Sequence, residues 1–313
     1  MGKIWMGGAL RYRWIFLLLA VLPLSGCLFR SHRVEHTATA QLKTASQAEL
    51  LDYINNQAAK LQTLQATVDI DTSVGGAKQG KVTDYQQIRG YVLARKPAML
   101  RMIGLLPIVR NRAFDMVSDG QNFKLWIPPK NRFVEGRNDV KTPNPKNPLE
   151  NMRPQFIYQA LLLEAINPPD IAVMESGEET VTDKGHSVQQ PDYEIDVISK
   201  GERGYFLSRK IIFSRTDLLP HRQTIYDENG VPVTESRYDG YKEQGGVNFP
   251  WQIEIKRPQE EYDITLTIVK LQLNEPLAND KFQMETPAGA EIVHLGQAHT
   301  QAANAAGENL ARR

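Results

Sequence analysis

Residues 262–273 read YDITLTIVKLQL, and their spacing decides the fold. Tyr262, Ile264, Leu266 and Ile268 occupy alternate positions, the two-residue period of a strand with one apolar face. The apolar set then slips by one position, to Val269, Leu271 and Leu273. A one-residue slip marks a β-bulge, which bends a strand and increases its twist. A strand that keeps its apolar face inward around a bend belongs in a curled sheet rather than a flat stack.

Working outward, the same strand chemistry recurs on both sides. LQATVDIDTSV, KVTDYQQIRGYVLAR, AMLRMIG, RAFDMVS, QNFKLWIP and RFVEG lie in the first half; DYEIDVISK, YFLSRKIIFSR, HRQTIYD, VPVTESRYDGYK and NFPWQIEIKRP follow in the second. The joins are short, such as SDGQ at 118–121 and DENGV at 227–231, so consecutive strands pair antiparallel through hairpins. Trp251, Ile253 and Ile255 share one face and Gln252, Glu254 and Lys256 the other, which gives one apolar and one wet face. Two helices are expected. Ser46 and Glu49 form a capping box ahead of Leu50, Leu51, Ile54, Ala58, Leu61 and Leu64 at helical spacing. After a Pro/Asn-rich loop from residue 137, Pro154 suits a first helical position, and an apolar stripe runs from Phe156 to Ile166 before Pro168-Pro169. This second helix, within 137–167, is expected to cover the concave face, either sealing a dry core or lidding a cavity.

The beginning of the chain carries a different signal. MGKIWMGGALRYR is basic, WIFLLLAVLPL is apolar, and small residues then lead to Cys27, the single cysteine. That layout is a secretory signal peptide over residues 1–26, with an apolar core too short for a permanent membrane span. Leu24-Ser25-Gly26-Cys27 resembles the lipobox of bacterial lipoproteins. The resemblance implies a diacylglycerol on the Cys27 sulfur, an N-acyl group on its amine, and an anchor in membrane. Position 28 is Leu rather than Asp, which in the enterobacterial sorting pattern implies the outer membrane, facing the periplasm. Residues 27–45 read as a polar tether, 46–295 as the folded domain, and 296–313 as a disordered tail.

Composition excludes several classes. The formal net charge is +1, and Lys3, Arg11 and Arg13 precede Cys27 without an acid, so the chain from Cys27 onward stands at −2. Nucleic-acid binding is not expected from such a balance. One cysteine rules out an internal disulfide framework. The six histidines show no paired spacing, no HExxH or GxSxG occurs, and no glycine loop precedes a helix. No metal, no dissociable cofactor and no enzymatic activity are expected; a hydrolase is the weakest reading.

Lys96-Pro97, Leu100-Arg101, Ser118-Asp119-Gly120 and Trp126, with the closing Phe282 and Pro287-Ala288-Gly289-Ala290, resemble the LolA/LolB lipoprotein-carrier superfamily. The resemblance covers about 64–293. It implies a mainly β (α+β) fold, an open, curved antiparallel half-barrel closed by a few helices, whose hollow accepts the acyl chains of lipoproteins or lipids. With Cys27 it implies the lipid-anchored, LolB-like side, a role in lipoprotein or lipid transport, and exchange with a periplasmic carrier or another envelope protein. Related RseB-type sensors imply the alternative, a sensor or envelope-assembly protein without transport. The candidate acyl-contact residues are Leu105, Leu106, Trp126, Phe156, Ile157, Leu161 and Trp251. For each, core filling and cavity lining remain open. The run MLRMIGLLPIVR either ends a strand in a Gly/Pro turn or projects an apolar loop at Leu105, Leu106 and Ile108 toward membrane or cargo.

Overall fold

The computed structural model describes residues 35–36, 41–78, 80–140, 148–183 and 186–295. The leader, Cys27, the tether apart from its described stretches, residues 141–147 of the Pro-rich segment and the tail after Leu295 lie outside these. The chain divides into two units, residues 1–39 with 180–190, and residues 40–179 with 191–313. Within the smaller, strand β1 (Glu35–His36) pairs in parallel with Val188 and Gln189, and the Gln189 amide donates to Thr180 Oγ1. The rest of this description concerns the larger unit.

Helix α1 (Gln47–Lys60) starts where the capping box places it. Ser46 Oγ accepts from the Glu49 N–H, and the Glu49 carboxylate accepts from the Ser46 N–H. Leu50, Ile54 and Ala58 form its buried face. Leu61 already caps the helix and Leu64 belongs to the next strand, although both are buried. The fold also begins earlier than residue 46, because the Lys43 N–H donates to the Arg215 carbonyl at 2.7 Å.

Six strands follow by hairpins: β2 (Thr63–Gly76), β3 (Lys81–Arg95), β4 (Met99–Leu105), β5 (Arg112–Ser118), β6 (Asn122–Ile127) and β7 (Arg132–Arg137). Helix α2 (Pro154–Leu161) comes next, with Pro154 in its first turn. Then come β8 (Ile171–Asp183), β9 (His186–Gly201), β10 (Gly204–Ser214), β11 (Pro220–Tyr226) and β12 (Pro232–Asp239). A small hairpin, β13 (Lys242–Gln244) with β14 (Val247–Phe249), precedes β15 (Gln252–Arg257), β16 (Tyr262–Leu273) and β17 (Glu291–Leu295). The main sheet runs β9-β10-β11-β12-β15-β16-β2-β3-β4-β5-β6-β7-β17, with β8 on β9. It does not close on itself.

The sheet is nevertheless strongly curled. Helix α2 contacts β15 on one side and β4 and β5 on the other. From β15 to β5 is five strand intervals, about 24 Å in a flat sheet, whereas eight helical residues span about 12 Å. Only bending brings both flanks to one short helix. Register shifts supply the bends, at Ile268/Lys270 in β16, at Ile70/Thr72 in β2 and at Gly104/Leu105 in β4. The slip at Val269 is therefore a bulge, as its spacing implied, and Val269 itself turns outward.

The main core joins the inner faces of β2–β6, β12, β15 and β16 to Ile157, Tyr158, Ala160, Leu161 and Leu162. A second core lies between α1 and the β9–β10 pair, through Ile54, Tyr193, Ile195, Ile211 and Phe213.

Two expectations need correction. Helix α2 stops at Leu161, not near Ile166, because the Asn55 amide binds both backbone groups of Ile166, at 2.8 and 3.1 Å, in extended chain. Ile166 then joins the second core. Strand β8 was not expected at all; Glu175, Ser176, Gly177, Glu178 and Glu179 break its alternation.

Candidate functional site

The strands that carry Ile70, Ile88, Met102, Phe114 and Met116 bring these side chains, with Ile264 of β16, around a cavity of about 230 Å³. Among the described residues no charged side chain lines it. Two glycines shape this end of the sheet. Gly90 and Gly104 oppose each other across β3 and β4, and Phe114 stands opposite Gly104 on β5. A Cβ on Gly104 would lie 2.4 Å from the Phe114 ring and 2.7 Å from Ile88 Cδ1. A Cβ on Gly90 would lie 2.6 Å from the Ile103 carbonyl oxygen. Both positions thus require glycine, and the space that side chains would take is ceded to the residues of the cavity wall.

The mouth is formed by Thr72, Tyr85, Gln86, Leu106 and Pro107. Beyond it the loop between β4 and β5 projects. Its base is closed by the Leu106 N–H on the Asn111 carbonyl and the Arg110 N–H on the Leu106 carbonyl. At its tip Ile108 is 98% exposed and Val109 62% exposed. Ile108 has φ +68°, a left-handed conformation that costs a β-branched residue about 1–2 kcal/mol. Water offers no return for exposing such a side chain in such a conformation. Strain of this kind gathers at functional segments. Arg110 and Arg112 flank the tip and are exposed.

The sequence candidates separate into groups. Leu106 lines the cavity, and Leu105 is half-buried at the end of β4. Ile157 and Leu161 are buried in the main core, and Leu161 also borders a second void of about 40 Å³, room for about one water molecule. Phe156 is half-buried beneath the Arg257 guanidinium, 3.4 Å from the ring centroid. Trp126 does not line the cavity: on β6 its neighbours Leu125 and Ile127 point inward, and it stands on the other face against Phe133. Trp251 packs beside the main core, with the Lys242 ammonium 3.6 Å from its ring centroid. Most of the wall went unread in the sequence, because Ile70, Ile88, Met102 and Ile264 look like ordinary inward strand residues. The available signal was the glycine pair, visible only once β3 and β4 are in register.

No family model matches this chain, and no curated protein matches it. Several solved structures overlap it. A LolA-superfamily protein, NE2245 from Nitrosomonas europaea, does so at 13% identity over 77% of this chain and 99% of that one, with a TM-score of 0.46. A domain from Vibrio parahaemolyticus, assigned provisionally to outer membrane lipoprotein sorting, overlaps at 12% identity over 76% and 97%, TM-score 0.45. The MucA/MucB complex of Pseudomonas aeruginosa also overlaps, at 11% identity over 78% of this chain and 63% of that one, TM-score 0.25.

Proposed function

We propose that this chain holds acyl chains in the cavity beneath its curled sheet and takes part in lipoprotein or lipid transport at a bacterial outer membrane. In this reading the two helices close the half-barrel, lipid on Cys27 tethers the protein, and the 106–111 loop meets a lipid surface. One observation carries it: an uncharged cavity of about 230 Å³ opens beside an isoleucine that is 98% exposed. Apolar cavities of about 150 Å³ accept a six-carbon ring, so this one has room for roughly nine carbons. At about 0.8 kcal/mol per buried methylene the gross gain is about 7 kcal/mol, or micromolar affinity at best. A carrier that must release its cargo is served by such shallow, reversible binding. No bond-making chemistry is involved, and we read the protein as non-enzymatic.

Titrating the full-length protein with a fluorescent sixteen-carbon fatty acid tests this reading. Saturable one-to-one binding in the micromolar range supports it; no binding above a control protein refutes it. The anchor is tested separately by mass spectrometry of protein extracted from membranes, where an unmodified Cys27 within an intact N-terminus defeats that part. A second reading, an envelope interaction protein, draws on the sheet's open β17 edge, where Ile292 is 48% exposed.

A further inference from the structure

Beside the cavity, two arginines are buried almost completely. Arg153, just before α2, is 4% exposed, and Arg257, at the end of β15, is 3% exposed. Both flank the first turn of α2: Arg153 occupies the N-cap position without a capping side chain, and Arg257 lies on the ring of Phe156. Neither lines the cavity itself, but both stand behind residues of its wall. Met152, the residue before Arg153, lines it, as does Ile264; Tyr262, two residues from Ile264 on the same face, is the strand partner of Arg257.

The charges here do not balance. Arg257 donates to Glu260 Oε1 and to Thr234 Oγ1, each at 2.7 Å. Arg153 donates only to carbonyls, those of Glu150 at 2.8 Å and Met152 at 3.3 Å, and stands 4.8 Å over the Phe123 ring. Among the described residues it has no carboxylate within salt-bridge distance, and residues 141–147, KTPNPKN, contain no acid. The Nε of each arginine is buried without an acceptor, as are the acceptors Glu260 Oε2 and Gln155 Oε1 without a donor. Among the described residues, two cations thus face one anion in a setting where a guanidinium keeps its charge. Burial pulls the Arg153 pKa downward and the charge of Arg257 adds to that, against the opposing influence of Tyr262 and Glu260.

We infer that Arg153 and Arg257, at the first turn of α2, take the acidic headgroup of the chain in the cavity, so that the ligand is a single-chain oxyanion amphiphile rather than a neutral ester. This rests on the acyl-binding reading above. Guanidinium groups pair with carboxylate and phosphate alike, and a helix N-terminus favours either anion. Glu260 shares the site and competes, which leaves one net positive charge for the ligand.

Affinities of the full-length protein for palmitate, hexadecyl phosphate and methyl palmitate test it. Both anions are expected to bind at least tenfold more tightly than the ester, and the tighter of the two identifies the headgroup. Arg153→Gln is expected to abolish the ratio and Glu260→Gln to widen it. Equal binding of anions and ester, or a ratio unchanged in either variant, overturns the inference and leaves the cavity reading standing. Failure of all three probes to bind overturns both. Should Arg153→Gln not fold, Glu260→Gln decides, since an unchanged ratio there is sufficient refutation.

Discussion

If the cavity holds hydrocarbon, filling it from its own wall must displace ligand atom for atom. Ile88 is the position of choice: it is half-buried, lines the cavity, and reaches over Gly104 beside the Phe114 ring. Ile88→Phe adds three heavy atoms and Ile88→Trp adds six. At roughly 25 Å³ per carbon these occupy roughly 75 and 150 Å³ of the 230 Å³ present. Each excluded methylene forfeits about 0.8 kcal/mol, so the losses are about 2.4 and 5 kcal/mol. In affinity that is about 60-fold for Phe and beyond about a thousandfold for Trp. Titration with a fluorescent fatty acid reads the series, and thermal unfolding provides the control. Because added atoms restore contacts across a void, the melting temperature is expected to hold or rise. Binding by Ile88→Trp within threefold of the parent would refute the reasoning, as would a steep loss of stability, which would mean that the space was already filled.

Three further outcomes are expected. Ile108→Gly should remove the left-handed strain and stabilise the protein by about 1 kcal/mol, while weakening association with lipid vesicles in flotation assays; stronger association would contradict a membrane role for the loop. Asp115 accepts from Arg101 at 2.8 and 3.0 Å and from Arg112 at 3.1 Å, and Arg101 also holds the carbonyls of Lys281 and Gln283. Asp115→Asn should therefore cost about 3 kcal/mol, roughly 10 °C in melting temperature, and expose residues 279–285 to hydrogen exchange; a shift under 2 °C would show the pair to be dispensable. Burial, then the charges of Glu194 and Glu179, push the Asp192 carboxyl up to about 6. The folded state then holds this proton more tightly than the unfolded chain, so stability present below about pH 4 is lost as pH rises through about 6. Asp192→Asn should raise the melting temperature at pH 7.5 and leave it unchanged at pH 4; equal shifts at both would rule out titration of this group.

Much of the fold was legible because it rests on local rules. The slip at Val269 is a matter of one strand's alternation, and the Ser46–Glu49 box and the turns at 118–122 and 227–231 are set by side chains within four residues. What escaped depends on distant partners. Nothing near Ile166 in sequence says that Asn55 will hold it extended, so an unbroken apolar stripe reads as a longer helix. Strand β8 forms by addition to β9, and its charged residues are tolerated because much of it faces water. Trp126 shows the limit of residue type as a guide. A large aromatic beneath a curled sheet suggests a ligand contact, yet its place on β6 assigns it to the opposite face.

The position of the hollow follows from where α2 can begin. The strands of the curled sheet are long, β3 fifteen residues and β16 twelve, whereas α2 has eight. A helix of about 12 Å cannot cover strands of roughly 40 Å. It cannot be extended backward from Arg153, since Pro154 offers no N–H to a preceding turn and Pro148 lies one and a half turns further on. Met152, two residues before the helix, accordingly lines the cavity, and Leu161, at its other end, is buried in the core. Core and cavity are thus one apolar face, divided by the reach of the helix that covers it. Removing the barrier tests this. Pro154→Ala should lengthen α2 toward Met152, raise helical circular dichroism by a fraction of a turn, and lower acyl-chain affinity as the hollow shrinks. Unchanged affinity alongside a longer helix would show that the cavity is maintained by the glycine pair alone.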